Sequence, residues 1–162
     1  MHAAALKLTI EAVDPQHPQA LALLGEAAVE ARALYPELFA PEAPAPGNPP
    51  LGSRDLYLLA RRDGLAVGCG ALREWDALTG ELRRMYVTRA ARRDGVARAL
   101  LARLEHEALG LGYRRLVLET GARQQAAIAL YGRCGWRRIP AYGTFVGDPM
   151  SVCFGKTLSS RR

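Results

Sequence analysis

Hydrophobic and polar residues follow patterns that divide the chain into short strands and amphipathic helices. Residues 7–13 (KLTIEAV) alternate with the period of two that is typical of a half-buried strand, and Asp14-Pro15 predicts its end. From residue 18 to about residue 34 the apolar side chains recur every three to four positions, which predicts an amphipathic helix. The side chains expected on its buried face are Leu21, Leu24, Ala28 and Ala31.

The middle of the chain predicts a hairpin, a third strand and a second helix. Residues 55–60 and 65–72 are apolar runs on either side of a turn at Arg62-Asp63-Gly64, and Asp-Gly is a frequent hairpin turn. A further strand is predicted over residues 81–87 (ELRRMYV), followed by a helix over residues 95–109. The buried stripe expected on that helix comprises Val96, Leu100, Leu101, Leu104 and Ala108.

The last third of the chain alternates short strands with one short helix. Strands are predicted over residues 114–118, 136–139 and 152–157, and a helix over residues 124–134. The order β α β β β α β α β β indicates an α/β fold, a mixed β-sheet flanked by helices. Half of the ten prolines lie in residues 41–50, which predicts a stiff, extended loop placed where a binding loop could be.

Composition limits the class of protein. With 162 residues, 49% of them hydrophobic, the chain can form a single domain over residues 1–162 and bury a core without disulfides. No apolar window approaches a membrane span, and the N-terminus lacks the order of regions of a signal peptide, so a soluble cytoplasmic protein is expected. The three cysteines have no CxxC spacing and no histidine partners, so no metal site is predicted.

The positive charge is almost entirely arginine. The formal net charge is +6, and only Lys7 and Lys156 among the 22 basic residues are lysines. Six Arg-Arg pairs are scattered along the chain, whereas a nucleic-acid surface normally concentrates its cations on one helix or stripe. The charge therefore suggests an anionic partner, and the scatter disfavours nucleic acid. The pairs lie at 61/62, 83/84, 92/93, 114/115, 137/138 and 161/162.

One of these pairs opens a helix. The segment Arg92-Arg93-Asp94-Gly95-Val96-Ala97 lies between a predicted strand and an amphipathic helix. The first N–H groups of a helix have no intrahelical acceptor, and the helix dipole adds partial positive charge there, so the turn predicts an anion site. Gly95 and Ala97 would let a ligand approach the backbone, and Arg92 and Arg93 would add charge to a pyrophosphate. An arginine-rich loop that merely precedes a helix is the alternative.

The same turn resembles a motif of the GNAT superfamily of N-acetyltransferases. Arg92-x-x-Gly95-x-Ala97 is similar to the motif A pattern Gln/Arg-x-x-Gly-x-Gly/Ala, and Gln124, Ala127 and Tyr131 with Gly135-Trp136 resemble its later Asn-x-x-Ala-x-x-x-Tyr and Gly-Phe elements. The resemblance covers residues 55–138. Gln124 stands where the family usually has Asn, which puts its contact to the cofactor in question, and Trp136 replaces the usual Phe. Core packing is the alternative role for Tyr131.

The resemblance implies acetyl-CoA as co-substrate and assigns roles to particular residues. Glu81 would be the general base, and Tyr131 would be the acid that protonates the leaving thiolate. The alternative for Glu81 is an ordinary strand glutamate paired with a nearby arginine. Glu74 and Glu119 are weaker candidates for the base. Gln124 would contact the arm of the cofactor. The backbone of the preceding strand would bind the pantetheine arm, and the turn the pyrophosphate. These cofactor-binding residues are Met85, Tyr86, Val87, Arg92, Arg93, Asp94, Gly95, Val96 and Ala97.

The acceptor is less well specified. A small amine, an amino acid or a peptide N-terminus would suit an N-acetyltransferase, with residues 34–50 and 140–150 forming the pocket. Its possible aromatic walls are Tyr35, Phe39, Tyr142 and Phe145. The family also implies a possible homodimer. A non-catalytic acyl-CoA-binding or regulatory module is the second hypothesis, and a nucleic-acid-binding domain is the third.

Overall fold

The computed structural model describes residues 7–40 and 42–159, and the Arg161-Arg162 pair and Pro41 of the proline-rich loop lie outside the described residues. The predicted order of strands and helices is confirmed. The strands are β1 (Leu8–Ala12), β2 (Leu56–Arg62), β3 (Leu65–Glu74), β4 (Thr79–Val87), β5 (Arg115–Gly121), β6 (Arg137–Ile139) and β7 (Ser151–Thr157), and the helices are α1 (Pro18–Leu34), α2 (Val96–Gly110) and α3 (Gln125–Arg133).

The strands form one mixed sheet in the order β1-β2-β3-β4-β5-β7-β6. Every neighbouring pair is antiparallel except β4 and β5, which run parallel. A parallel pair requires a crossover connection, and α2 supplies it between these two strands. The predicted hairpin turn joins β2 to β3, and both Asp63 and Gly64 have positive φ there, as a tight two-residue turn requires.

The helices lie on both faces of the sheet. The predicted apolar stripe of α2, from Val96 to Ala108, is buried in the larger core cluster together with Leu82 of β4, Leu118 of β5 and Tyr131 of α3. Helix α1 packs on the opposite face, where Tyr57 of β2 belongs to a second, smaller cluster. We call these two surfaces the α2 face and the α1 face.

The buried side of α1 differs from the prediction. Ala20, Leu23 and Leu24 are buried, whereas Leu21 is 40% exposed. The helix is apolar on nearly all sides, so its sequence period fits several orientations, and packing against β2 and β3 selects one of them. Within the described residues, no helix has the length and apolar character needed to span a membrane.

Candidate active site

Strands β4 and β5 separate part of the way along their length. They pair from Thr79 opposite Arg115 to Leu82 opposite Leu118 and no further, although β4 continues to Val87 and β5 to Gly121. The separation opens a gap in the middle of the sheet. Backbone groups along such a gap are exposed as they are on an edge strand, so an extended ligand can bind there as an added strand.

A β-bulge in β4 accompanies the gap. Arg83 pairs with Ala71 and Tyr86 with Cys69, so Arg84 and Met85 both lie opposite the single residue Gly70. Arg84 has a φ of 60°, which costs a non-glycine residue about 1–3 kcal/mol. The Cys69 thiol donates a hydrogen bond to the Arg84 carbonyl at 3.1 Å. Bulges of this kind bend a strand and redirect its side chains.

The alternation of β4 shows which backbone groups face the gap. The N–H of Thr88 donates to the Val67 carbonyl of β3 at 2.9 Å, so the backbone groups of Tyr86, two residues earlier, also face β3. Those of Met85 and Val87 face the gap. Three residues were predicted to bind a cofactor arm through the backbone, and Tyr86 is the one whose backbone groups do not face the gap. The Val87 carbonyl already accepts a hydrogen bond from Arg92 Nε at 2.9 Å.

The predicted anion site lies at the start of α2, just beyond the end of β4. Gly95 precedes the helix with a φ of 84°, and no side chain of residues 7–40 or 42–159 caps the helix N-terminus. A Cβ added at Gly95 would contact nothing within 4 Å, so the glycine is required by its backbone conformation more than by crowding. Arg93 also has a positive φ, of 68°. The uncapped N–H groups of Val96 and Ala97 are available to an anion.

The side chains of this turn are not all available to a ligand. Arg92 Nη2 donates to both carboxylate oxygens of Glu30 on α1, at 2.8 and 2.7 Å, so its charge is already paired. Tyr86 also donates to Glu30, at 2.8 Å, and although burial opposes it, these hydrogen bonds hold the pKa of Glu30 below its usual value. Asp94 pairs with Arg62 of β2 at 3.1 Å. Arg93 is exposed.

Glu81 lies on the α1 face of β4, where that strand still pairs with β5. Its side chain is only 8% exposed, and its Oε2 accepts a hydrogen bond of 2.7 Å from the Tyr142 hydroxyl. The Arg83 guanidinium is 3.6 Å from Oε1 and is itself half-exposed. Phe145 packs on Tyr142 with ring centroids 5.5 Å apart. The structure is compatible with both predicted roles of Glu81. The carboxylate is buried, as a general base would be, and it also has an arginine neighbour, as a structural glutamate would.

Glu119 of β5 lies on the same face as Glu81. Glu81 pairs with Val117, and Glu119 is two residues further along β5, at the edge of the gap. Burial raises the pKa of Glu119, the negative charges of Asp148 and Glu81 raise it further, and a 2.6 Å hydrogen bond from the Ser151 hydroxyl opposes them. The Glu119 carboxyl group is thus buried near a second carboxylate where the strands separate.

Tyr131 of α3 lies on the opposite, α2 face. Its ring packs between those of Trp136 and Phe154, with centroid distances of 5.9 and 5.6 Å. Tyr131 therefore contributes to the packing of the core. Its hydroxyl has no hydrogen-bond partner within residues 7–40 and 42–159. Burial raises its pKa to about 12, above the value of about 10 of a free tyrosine side chain. Gln124, the residue before α3, is exposed.

A cavity of about 420 Å³ lies on the α1 face between α1, the proline-rich loop and the bulge of β4. Of the four aromatic residues predicted as pocket walls, Phe39 lines it, whereas Tyr35 is buried elsewhere and its hydroxyl accepts from the Arg123 N–H at 2.9 Å. Arg84 and Tyr57 also line the cavity, although neither is among the site residues predicted from the sequence. The sequence does not show the bulge, so it indicates only that Arg84 is a solvated member of an Arg-Arg pair and that Tyr57 is an ordinary strand residue.

Comparisons with known proteins point to one family. A sequence profile of the acetyltransferase (GNAT) family matches residues 26–136. An IAA acetyltransferase of Azospirillum brasilense is 41% identical over 103 residues, which are 63% of this chain and 67% of that protein.

Solved structures show the same fold. The structure of a protein assigned as an acyl-CoA N-acyltransferase, from Klebsiella pneumoniae subsp. pneumoniae, is 33% identical with a TM-score of 0.77, and the match covers 94% of this chain and 98% of the other. A GNAT family acetyltransferase from Elizabethkingia anophelis, solved with acetyl-CoA bound, is 19% identical with a TM-score of 0.66, and the match covers 93% and 98% of the two chains. This second similarity concerns the fold alone.

Proposed function

Because this chain belongs to the acetyltransferase (GNAT) family, we propose that it is an acetyl-CoA-dependent N-acetyltransferase that acts on a primary amine. The amine would attack the thioester directly, within a ternary complex of enzyme, acetyl-CoA and acceptor. The gap between β4 and β5 is the observation that carries this proposal. The gap extends from the buried carboxylate of Glu81, past backbone groups of β4 that have no strand partner among the described residues, to the uncapped N-terminus of α2.

The order of groups along the gap suits an extended thioester arm that ends in a pyrophosphate. The backbone N–H groups of Met85 and Val87 would bind the arm as a neighbouring strand does. The N–H groups at the start of α2 would bind the pyrophosphate, and Arg93 would add charge to it. Gly95 has a positive φ just before the helix, and no atom of the described residues lies within 4 Å of where its Cβ would be.

Each step of the acetyl transfer can then be assigned to a group of the protein. Glu81 would accept the proton of the amine, directly or through water, as the C–N bond forms. A gap-facing N–H of β4 would stabilise the negative charge on the carbonyl oxygen. As the C–S bond breaks, Tyr131 would donate a hydrogen bond to the sulfur and then its proton, which water replaces. A hydroxyl with a pKa of about 12 remains protonated at neutral pH, although it is a weak acid towards a thiolate.

Two other functions make different predictions. A non-catalytic acyl-CoA-binding module would bind acetyl-CoA but release no thiol with any amine. A nucleic-acid-binding domain would need unpaired cations on one surface, whereas Arg61, Arg62 and Arg92 form ion pairs with carboxylates. Its affinity would also fall steeply with added salt.

The proposal is tested by binding and turnover together. Acetyl-CoA should raise the thermal midpoint of the protein, and a thiol-release assay over amines, amino acids, polyamines and peptides should find an acceptor. Binding without thiol release for every acceptor would favour the non-catalytic module. No binding of acetyl-CoA or coenzyme A would refute both.

The variant Gly95→Glu tests the phosphate turn. It places a side chain and a negative charge at the helix N-terminus, so acetyl-CoA affinity should fall by roughly 100-fold or more, because the carboxylate occupies a site that binds anions and repels the pyrophosphate from it. Gly147→Glu is the matched control, because Gly147 has a φ of 83° and equally open space in a different loop. Equal affinity of the two variants would show that the turn does not bind the cofactor.

A further inference from the structure

The cavity on the α1 face borders the bulge of β4, about three residues, or roughly 10 Å, along the strand from Glu81. Most of its lining is apolar and comes from leucine and alanine side chains of α1, from Phe39 and from prolines of the loop. Its volume of about 420 Å³ lies within the range of small-molecule sites. The apolar lining suits an aliphatic or aromatic group of an acceptor.

The charged side chains that line the cavity are both positive. They are Arg32 and Arg84, and no Asp or Glu among the described residues belongs to the lining. Arg32 is held at the rim, where it donates to the Ala43 carbonyl at 3.1 Å and lies over the Phe39 ring. A cavity with this lining disfavours a cationic group and favours an anionic one.

Arg84 is positioned by the fold but not neutralised by it. Its Nε donates to Asn48 Oδ1 and its Nη2 to the Gly47 carbonyl, each at 3.0 Å, and both acceptors are uncharged. Within the part of the chain that the structure describes, no carboxylate forms an ion pair with Arg84. The remaining nitrogen, Nη1, has no hydrogen-bond partner among the same residues. A half-buried guanidinium of this kind suits an incoming carboxylate.

Tyr57 supplies a second donor at the same place. Its side chain is fully buried, and its hydroxyl has no hydrogen-bond partner within the described chain. The neighbouring polar groups are already engaged, because the Cys69 thiol donates to the Arg84 carbonyl and the Asn48 side chain bonds Arg84 and the Pro15 carbonyl. Buried hydroxyls are rarely left unpaired, so this one indicates a ligand atom.

We propose that the cavity binds the acceptor through a carboxylate, held by Arg84 and Tyr57, and through an apolar side chain. The acceptor class is therefore an apolar amino acid, whose amine would be directed towards the gap. This inference rests on the proposed function, because it identifies the acceptor of that reaction. Polyamines lack the anion, and peptide N-termini lack a carboxylate beside the amine, so both should be poorer acceptors.

Matched acceptors test the carboxylate. Phenylalanine should exceed phenethylamine, and leucine should exceed isopentylamine, by roughly 10- to 100-fold in kcat/KM, the range expected for hydrogen bonds to a charged group. Phenylalanine amide should behave like phenethylamine. Decarboxylated amines, polyamines or peptides that are acetylated as well as the amino acids would overturn the inference while leaving the transferase function intact.

Two variants test the binding groups. Arg84→Gln should raise the KM of phenylalanine by roughly 10- to 100-fold, change that of phenethylamine little and leave the affinity for acetyl-CoA unchanged. Arg84→Lys, which keeps the charge, should retain part of the preference. Tyr57→Phe should raise the KM of phenylalanine by a smaller factor, with no fall in thermal midpoint, because the hydroxyl has no partner to lose. Arg115→Gln, at an exposed position at the start of β5, is the control.

A direct binding measurement separates this inference from the transferase function. Calorimetric titration of phenylalanine into the coenzyme A-saturated protein should show binding that Arg84→Gln weakens, even if no acceptor releases thiol. Equal binding by the wild type and a folded Arg84→Gln variant, or no binding by either, would overturn the carboxylate site.

Discussion

Replacing Glu81 by glutamine separates a catalytic base from a structural glutamate. The amide has nearly the same size, and its carbonyl oxygen can still accept the hydrogen bond from Tyr142. The substitution removes the charge and the basicity of the side chain. It therefore changes the chemistry that we assign to Glu81 while retaining its packing on the α1 face.

The structural cost of this change is small. The ion pair lost to Arg83 is long, at 3.6 Å, and involves an arginine that is 52% exposed, so it contributes less than about 1 kcal/mol to stability. Loss of a general base, by contrast, lowers kcat by roughly 10²- to 10⁴-fold. This corresponds to about 2.7–5.4 kcal/mol in the activation free energy.

Single-turnover thiol release with saturating acetyl-CoA measures this effect, and denaturant unfolding measures stability. Glu107→Gln is the matched control, because Glu107 lies on α2 and has no proposed role, and its ion pair with Arg103 is partly exposed. We expect the rate to fall for Glu81→Gln only. A fall of less than threefold in a folded Glu81→Gln protein would refute the role of Glu81 as the base, and the same measurement on Glu119→Gln would then test the second carboxylate.

Two further predictions concern Tyr131 and the hairpin that supports the site. Tyr131→Phe should lower kcat by roughly tenfold or more without weakening acetyl-CoA binding or stability, and unchanged turnover would remove Tyr131 from the mechanism. Asp55 accepts from the Gly52 and Glu74 N–H groups and pairs with Arg73, and although burial opposes it, these contacts hold its pKa below the usual value. Because the folded pKa is the lower one, this stabilisation is present above about pH 4 and is lost as the pH falls through the folded pKa. Asp55→Asn should thus cost about 1–2 kcal/mol in urea unfolding at pH 7 and much less near pH 3, and a cost independent of pH would contradict this account.

The order of strands and helices, and the phosphate turn, could be predicted because they depend on local sequence. The period of apolar residues placed the stripe of α2 correctly, from Val96 to Ala108. The hairpin turn at Asp63-Gly64 and the helix start after Gly95 likewise follow from the conformations that these short segments prefer. Helix α1 shows the limit of this reasoning, since a segment apolar on most sides does not specify which side is buried.

The environment of the candidate site depends on contacts between distant parts of the chain. Glu81 meets Tyr142 across 61 residues, and Arg92 meets Glu30 across 62, so neither pairing has a local sequence pattern. The bulge that turns Arg84 towards the cavity exists only in the register between β3 and β4.

Secondary structure, the family resemblance and the residue types available for chemistry thus follow from the amino-acid sequence alone. Folding sets where β4 and β5 separate, which backbone groups face the gap, and that Arg84 lines the cavity without a carboxylate partner among the described residues. The physical reason is that strand register, burial and ion pairing are properties of surfaces brought together by folding, whereas periodicity and turn preference are properties of neighbouring residues.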